Sequence, residues 1–148
     1  MVADHEVEIL IIEDNDTDLE LTLRALRKAN LANKVLALRD GIQALDYLFA
    51  NGKYSGRDVN SHPRVVLLDL KLPKIDGIEV LRRIKSDPRT ASVPVVVLTS
   101  STEERDRLGS YELGANSFIV KPVEFDSFSR AVVEIGMYWM LLNRPLEG

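Results

Sequence analysis

The sequence predicts a doubly wound α/β fold, (βα)5, with one parallel five-stranded sheet and helices on both of its faces. Three observations carry this. Five short apolar runs alternate along the chain with five longer stretches of helical period. The third and fourth runs, 65–70 and 93–98, are rich in Val and lack polar alternation, as strands covered on both faces are. The 148 residues are 45% apolar and 28% charged, enough chain and enough hydrophobic mass to close one core without staples.

The elements follow in order. The run 9–12 is the first strand. Thr17 followed by Glu20 reads as a capping box opening the first helix, with Leu19, Leu23 and Leu26 facing inward. The second strand is 35–38, and its helix carries Leu45, Leu48 and Phe49. The polar, Gly-containing stretch 52–63 predicts a long surface excursion before the third strand. The third helix turns Ile78, Leu81 and Ile84 inward and stops at Asp87-Pro88, because the residue before a proline is pushed out of the helical region. The fourth strand precedes a helix over about 103–113, which Gly114 ends as a left-handed cap. The fifth strand is 118–120 and the fifth helix runs over about 125–143. Residues 1–7 read as a loose acidic tail and 8–148 as a single domain, with no effector domain expected beside it.

Several function classes drop out. With 19 basic and 23 acidic residues the net charge is −4, and no clustered basic surface offers itself to nucleic acid or anionic lipid. No cysteine is present, which excludes disulfides, thiolate zinc sites and cysteine nucleophiles. The richest apolar stretch, 131–142, is shorter than the ~18 residues a membrane span needs and contains Glu134. The acidic N-terminus is unlike a secretory signal, so a cytoplasmic chain is expected. His5 and His62 are the only histidines, without metal-ligand company, which removes a Ser-His-Asp triad and a histidine phosphotransfer role.

In a parallel sheet the chemistry gathers at the carboxyl ends of the strands. Glu13 and Asp14 follow the first strand, Asp69 closes the third, Thr99 and Ser100 follow the fourth, and Lys121-Pro122 follows the fifth. Arg39-Asp40, after the second, reads as ordinary loop polarity. Each feature has a plain structural explanation when taken alone. Asp69 could cap a helix, acids commonly precede a helix N-terminus, and a hydroxyl after a strand commonly starts a turn. Together they are specific. Three carboxylates converging cannot all stay ionised without a cation, and Mg²⁺ suits one or two carboxylates, waters and a phosphate. Carboxylates, Mg²⁺, an ammonium and a hydroxyl match the needs of a transferring phosphoryl group, for which aspartate is itself a competent acceptor.

On these residues (Glu13-Asp14, Asp69 within LLDLKLPKIDG, Thr99 within VVLTSS, and Lys121-Pro122) the chain resembles the receiver domain of two-component response regulators over about residues 8–143. The resemblance implies a flavodoxin-like sheet of order 2-1-3-4-5 and Asp69 as phosphoryl acceptor. It implies Mg²⁺ held by Asp14, by Asp69, by the main-chain carbonyl of Lys71, and by Glu13 through a water. Thr99 and Lys121 would contact the phosphoryl group. Phe118 stands at the aromatic switch position. It lacks the hydroxyl of a tyrosine, so switching there rests on packing, and Phe118 reads equally well as core. The loop 52–63, KPVEFDSF and GMYWMLLN are similar to single-domain regulators that serve phytochrome-type histidine kinases, chiefly in cyanobacteria.

The last helix adds a feature of its own. Phe128, Val132, Ile135, Trp139 and Leu142 share one face. Val133, Met137 and Met140, flanked by Leu141, lie nearly opposite, which suggests a homodimer or kinase-contact surface. The expected activity is a signalling switch that takes a phosphoryl group from a sensor histidine kinase, not an enzyme. Its output would come from the face of the fourth helix, fifth strand and fifth helix, or by relay to a downstream phosphotransfer protein. The alternatives are an Mg²⁺-dependent phosphohydrolase, a flavodoxin-like binding module and a phosphorylation-independent pseudo-receiver. Lys71 stands where such a hydrolase would carry a second aspartate. The first loop, EDND, would repel a phosphate group, and the intact acidic site speaks against a pseudo-receiver.

Overall fold

The computed structural model describes residues 7–31, 35–102, 104 and 113–136. Its strands are β1 (Ile9–Ile12), β2 (Val35–Leu38), β3 (Val65–Asp69), β4 (Val95–Thr99) and β5 (Ser117–Val120). They form one parallel sheet in the order β2-β1-β3-β4-β5. The helices are α1 (Asp16–Lys28), α2 (Gly41–Leu48), α3 (Gly77–Ser86) and α4 (Phe125–Glu134), the last being the fifth helix of the sequence reading.

Alternation along each strand builds two cores. Leu10, Ile12, Val66, Leu68, Val95 and Val97 face α2 and α3, where they meet Ala44, Leu48, Val80 and Ile84. Ile9, Ile11, Val65, Leu67, Val96 and Leu98 face α1 and α4, where they meet Leu26, Phe128 and Val132. All residues of β1, β3 and β4 are buried, as their unbroken apolar runs require.

Four details differ from the sequence reading. Asn15, not Thr17, caps α1: its side chain accepts the Asp18 N–H at 2.8 Å. Asn15 sits in extended backbone one residue before the first helical residue, where a cap must be. Thr99 is the last residue of its strand rather than the residue beyond, so its side chain, like that of Asp69 at the end of β3, is held by the sheet ladder. The loop 52–63 is more than an excursion. It contains a 3-10 turn at Gly52–Tyr54 and buries Arg57. The Arg57 guanidinium lies 3.9 Å from the Tyr47 ring centroid and donates to the main-chain carbonyls of Tyr47 and Ser61.

The last difference is at the C-terminal helix. α4 ends at Glu134, with Ile135 as its cap and Gly136 at φ +76°, and the rest of the helix predicted to residue 143 lies outside the described residues. Gly136 donates to the Val133 carbonyl at 3.0 Å, which closes the helix in the left-handed conformation that glycine adopts freely. Gly114 likewise has φ +87°, as read from the sequence. The predicted fourth helix lies almost wholly outside the described residues; Thr102 and Glu104 are helical. Among the described residues no helix is long and apolar enough to cross a membrane.

Candidate functional site

The carboxyl ends of β1, β3, β4 and β5 lie along one edge of the sheet. There they bring together Glu13 and Asp14, Asp69, Thr99 and Lys121. The register does this directly. Leu98 pairs with Asp69, Thr99 pairs with Val120, and the Lys121 N–H donates to the Thr99 carbonyl at 2.8 Å. The Lys121-Pro122 bond is cis.

Lys121 is the electrostatic centre. Its Nζ lies 2.9 Å from Glu13 Oε1, 2.9 Å from Asp18 Oδ2 and 3.0 Å from Asp69 Oδ1. Burial would lower the ammonium's pKa, but its hydrogen bonds to Asp18, Glu13 and Asp69 outweigh that and raise it, so it stays charged. Glu13 is 0% exposed. Its burial pushes the carboxyl up to about 7, opposed by the Lys121 hydrogen bond and reinforced by the charge of Asp69. One ammonium therefore does not offset all of the negative charge.

Asp18 is the residue that the sequence reading missed. It lies in the first turn of α1, four residues past Asp14, and an acid there has an ordinary reason in the helix dipole. Only the fold brings it to Lys121, which is 103 residues distant in sequence.

Oxygens of Glu13, Asp14 and Asp69 all lie within 4.8 Å of one another, close enough to hold one metal ion. Asp14 is exposed while Glu13 and Asp69 are buried, so the cluster opens on one side. It opens into a cleft of about 240 Å³ lined by Asp14, Asn15, Asp18, Asp69, Lys71, Ser100, Glu104 and Lys121. Thr99 is wholly buried beside it, and its Oγ1 has no hydrogen-bond partner among the described residues. A buried hydroxyl left unpaired costs about 1–3 kcal/mol, so this one is suited to an oxyanion at the strand end. The surplus negative charge and the hard oxygen donors fit a divalent cation.

The end of β2 proves to be more than loop polarity. Arg39 donates to the Asp14 carbonyl at 2.9 Å and pairs with Asp16, which tethers the loop that carries the acidic pair. Asp40 caps α2 through the Gln43 N–H at 2.8 Å and meets Lys74 at 3.3 Å. Burial would push the Asp40 carboxyl up, but the Gln43 N–H and Lys74 hold it below the usual aspartate value. A Cβ on Gly41 would lie 2.0 Å from the Ile75 carbonyl oxygen, so only glycine allows this close approach of α2 to the loop after Asp69. Gly77 plays the same part on the other side of that loop, since a Cβ there would lie 2.3 Å from the Asp69 carbonyl oxygen.

Phe118 is half-buried and packs on the α2–α3 core. Val133 is 58% exposed on α4, whereas Phe128 and Val132 are buried and Ile135 packs partly against them. Met137, Trp139, Met140, Leu141 and Leu142 lie outside the described residues.

Residues 9–133 match the family described as the response regulator receiver domain. The chain is 44% identical over 136 residues to "Probable methanogenesis regulatory protein FilR2" of Methanothrix harundinacea, covering 92% of this chain and 85% of that one. Among solved structures it is similar to the bacteriophytochrome response regulator RtBRR (51% identity, TM-score 0.85, 95% of this chain and 84% of that one). It is also similar to the bacteriophytochrome response regulator AtBRR (55%, TM-score 0.82, 94% and 99%). Response regulator Rcp1 of Synechocystis is 37% identical over 132 residues, covering 89% of this chain and 88% of that one. A structure of Rcp1 in its Mn²⁺-bound form superposes with a TM-score of 0.70 at 35% identity, over 92% of this chain and 94% of that one.

Proposed function

The chain belongs to the response regulator receiver domain family, and we propose that Asp69 is its phosphoryl acceptor, loaded by a phytochrome-type sensor histidine kinase. The observation that carries this reading is the triple engagement of Lys121, which holds Asp69 against Glu13 and Asp18 at the rim of an open cleft. Lys121 takes Oδ1 of Asp69 and orients the carboxylate, so that the other oxygen can attack. In the transfer, an Asp69 oxygen forms a bond to phosphorus while the phosphorus–nitrogen bond of the kinase phosphohistidine breaks. The electron pair of that bond stays on the imidazole nitrogen.

Lys121 and the Thr99 hydroxyl then face the new oxyanions, which need both charge neutralisation and directed donors. Asp14, Asp69 and the Lys71 carbonyl would hold Mg²⁺, with Glu13 acting through a water. When bound, the ion supplies charge neutralisation at the phosphoryl oxygens. The chain thus works as a signalling switch rather than as an enzyme, and its acyl phosphate is read by contact or relayed onward.

The kinase assignment is supported by the likeness to RtBRR, AtBRR and Rcp1. It is tested by mixing the chain with an autophosphorylated phytochrome-type kinase carrying labelled phosphate. Label should move onto the chain within seconds to minutes and should do so faster than from an unrelated histidine kinase. Equal or slower transfer from the phytochrome-type kinase would overturn the pairing.

The exposed Val133 supports a homodimer through the C-terminal helix face, while Met137, Met140 and Leu141, which the sequence reading assigned to the same surface, lie outside the described residues. Sedimentation should show a dimer that Val133→Glu weakens without loss of phosphoryl uptake. A wild-type chain that stays monomeric at high concentration removes this idea.

A further inference from the structure

We propose that Glu104 is an intrachain competitor for the oxyanion position beside Asp69. Its carboxylate holds the Ser100 N–H while Asp69 is unmodified and gives it up when a phosphoryl oxyanion arrives. The proposal rests on Asp69 being the acceptor, and it explains a residue that the acidic cluster, the lysine and the buried hydroxyl leave unused.

Ser100 immediately follows Thr99, the last residue of β4, and β4 lies in register beside β3 with Leu98 opposite Asp69. Ser100, Glu104, Asp69 and Lys121 line the same cleft. Glu104 Oε1 accepts from the Ser100 N–H at 2.9 Å and from its hydroxyl at 3.4 Å. The Glu104 N–H in turn donates to Ser101 Oγ at 3.1 Å.

This resembles a capping box, with Ser101 at the cap position and Glu104 three residues on, but the return bond is displaced. In a capping box the glutamate reaches back to the N–H of the cap residue itself. Here it reaches one residue further, to the main-chain donor that leaves the sheet at the rim of the cleft. A residue that served only the helical turn would have no need of that donor.

Chemistry makes the occupation competitive. Phosphoryl oxygens are bound best by directed N–H and O–H donors in a partly desolvated site. The Ser100 N–H stands next to the unpaired Thr99 hydroxyl in sequence, so an oxyanion that recruits one lies near the other. A carboxylate and a phosphoryl oxygen cannot both take a single N–H, and they repel each other. The charge of Glu104 and its occupation of the donor therefore act in the same direction. When Glu104 yields, the side-chain bond that ties Ser100 to the turn carrying Thr102 and Glu104 opens. Modification of Asp69 is thereby transmitted to the segment after β4.

The test measures the affinity of the full chain for beryllofluoride, a noncovalent phosphoryl mimic, in the presence of Mg²⁺. Wild type, Glu104→Ala, Glu104→Gln and Asp69→Asn are compared. Glu104→Ala should bind about two- to tenfold tighter, the factor set by the net worth of one hydrogen bond. Glu104→Gln should fall between Glu104→Ala and wild type, because its amide oxygen still accepts from the Ser100 N–H while the charge is gone.

If Glu104→Gln binds as tightly as Glu104→Ala, charge alone is at work and the competition is refuted. Lower melting temperatures in both variants with unchanged affinity would reduce Glu104 to a helix cap and overturn the proposal. Binding by wild type that Asp69→Asn lacks keeps the acceptor assignment standing in either case. Absence of binding in wild type itself would sink that assignment, and the competitor role with it.

Discussion

Asp69→Asn is expected to abolish phosphoryl incorporation from an acyl phosphate and Mg²⁺, read as the loss of the one-phosphoryl mass increment in the intact chain. The substitution keeps the side-chain shape but replaces one oxygen with an amide nitrogen, whose lone pair is delocalised and cannot attack phosphorus. Asp69 is only 5% exposed and ends a strand buried throughout, so its neighbours hold it in place and the isosteric variant should fold. The variant also removes one of the three carboxylates that face Lys121, which lessens the local surplus of negative charge. Divalent-metal affinity should fall for the same reason. Incorporation that persists in the variant would transfer the acceptor role to another carboxylate, with the exposed Asp14 of the same cluster the first to examine.

The second large effect is that of Lys121→Ala. Removing the ammonium leaves Glu13 and Asp69 buried without their counter-ion, and breaking a buried pair in this way costs about 3–5 kcal/mol. The cost should depend on pH, and its sign follows from Glu13. In the wild-type fold that carboxyl is already pushed up to about 7, above its ordinary 4.5. Loss of Lys121 removes the interactions that lower it and raises it further. A group whose folded value is raised contributes stability that is fully present below its unfolded value and is lost as pH rises through the folded value. Lys121→Ala should therefore fall below wild type in melting temperature by more near pH 8 than near pH 5.

Mg²⁺ should narrow the gap at pH 8, because a bound cation replaces the missing charge. Melting curves at the two pH values, with and without Mg²⁺, decide the matter. A gap indifferent to both would mean that the carboxylates do not share the ammonium. At a pH where the variant is folded, Asp69 should still take up a phosphoryl group. The conformational response should fail, since the cation that ties the acceptor to Glu13 and Asp18 is gone.

Much of this was legible in the linear sequence. The apolar runs 9–12, 65–70 and 93–98 locate β1, β3 and β4 to within two residues, because burial on both faces leaves a local signature. The strand-end residues Glu13, Asp14, Asp69, Thr99 and Lys121 are also readable, because parallel strands present their carboxyl ends at one edge whatever lies between them. The helix that the sequence predicts over 125–143 is interrupted at Gly136. The apolar period runs on past that residue, and periodicity does not register a single glycine at φ +76°. The Ser/Thr-x-x-Glu pattern points to Thr17 as the cap, whereas Asn15, two residues earlier, has the extended backbone that a cap requires.

What the chain's order determined by itself is the alternation of strand and helix and the set of side chains delivered to the sheet edge. Both follow from local burial and from the direction of parallel strands. What only the tertiary structure decided is who meets whom at that edge. Asp18 joins Lys121, Arg39 holds the Asp14 loop, Asp40 meets Lys74, and Glu104 takes the Ser100 N–H. These pairings depend on the rotation of each helix about its axis and on how closely neighbouring loops approach, and both are set by packing against the two cores.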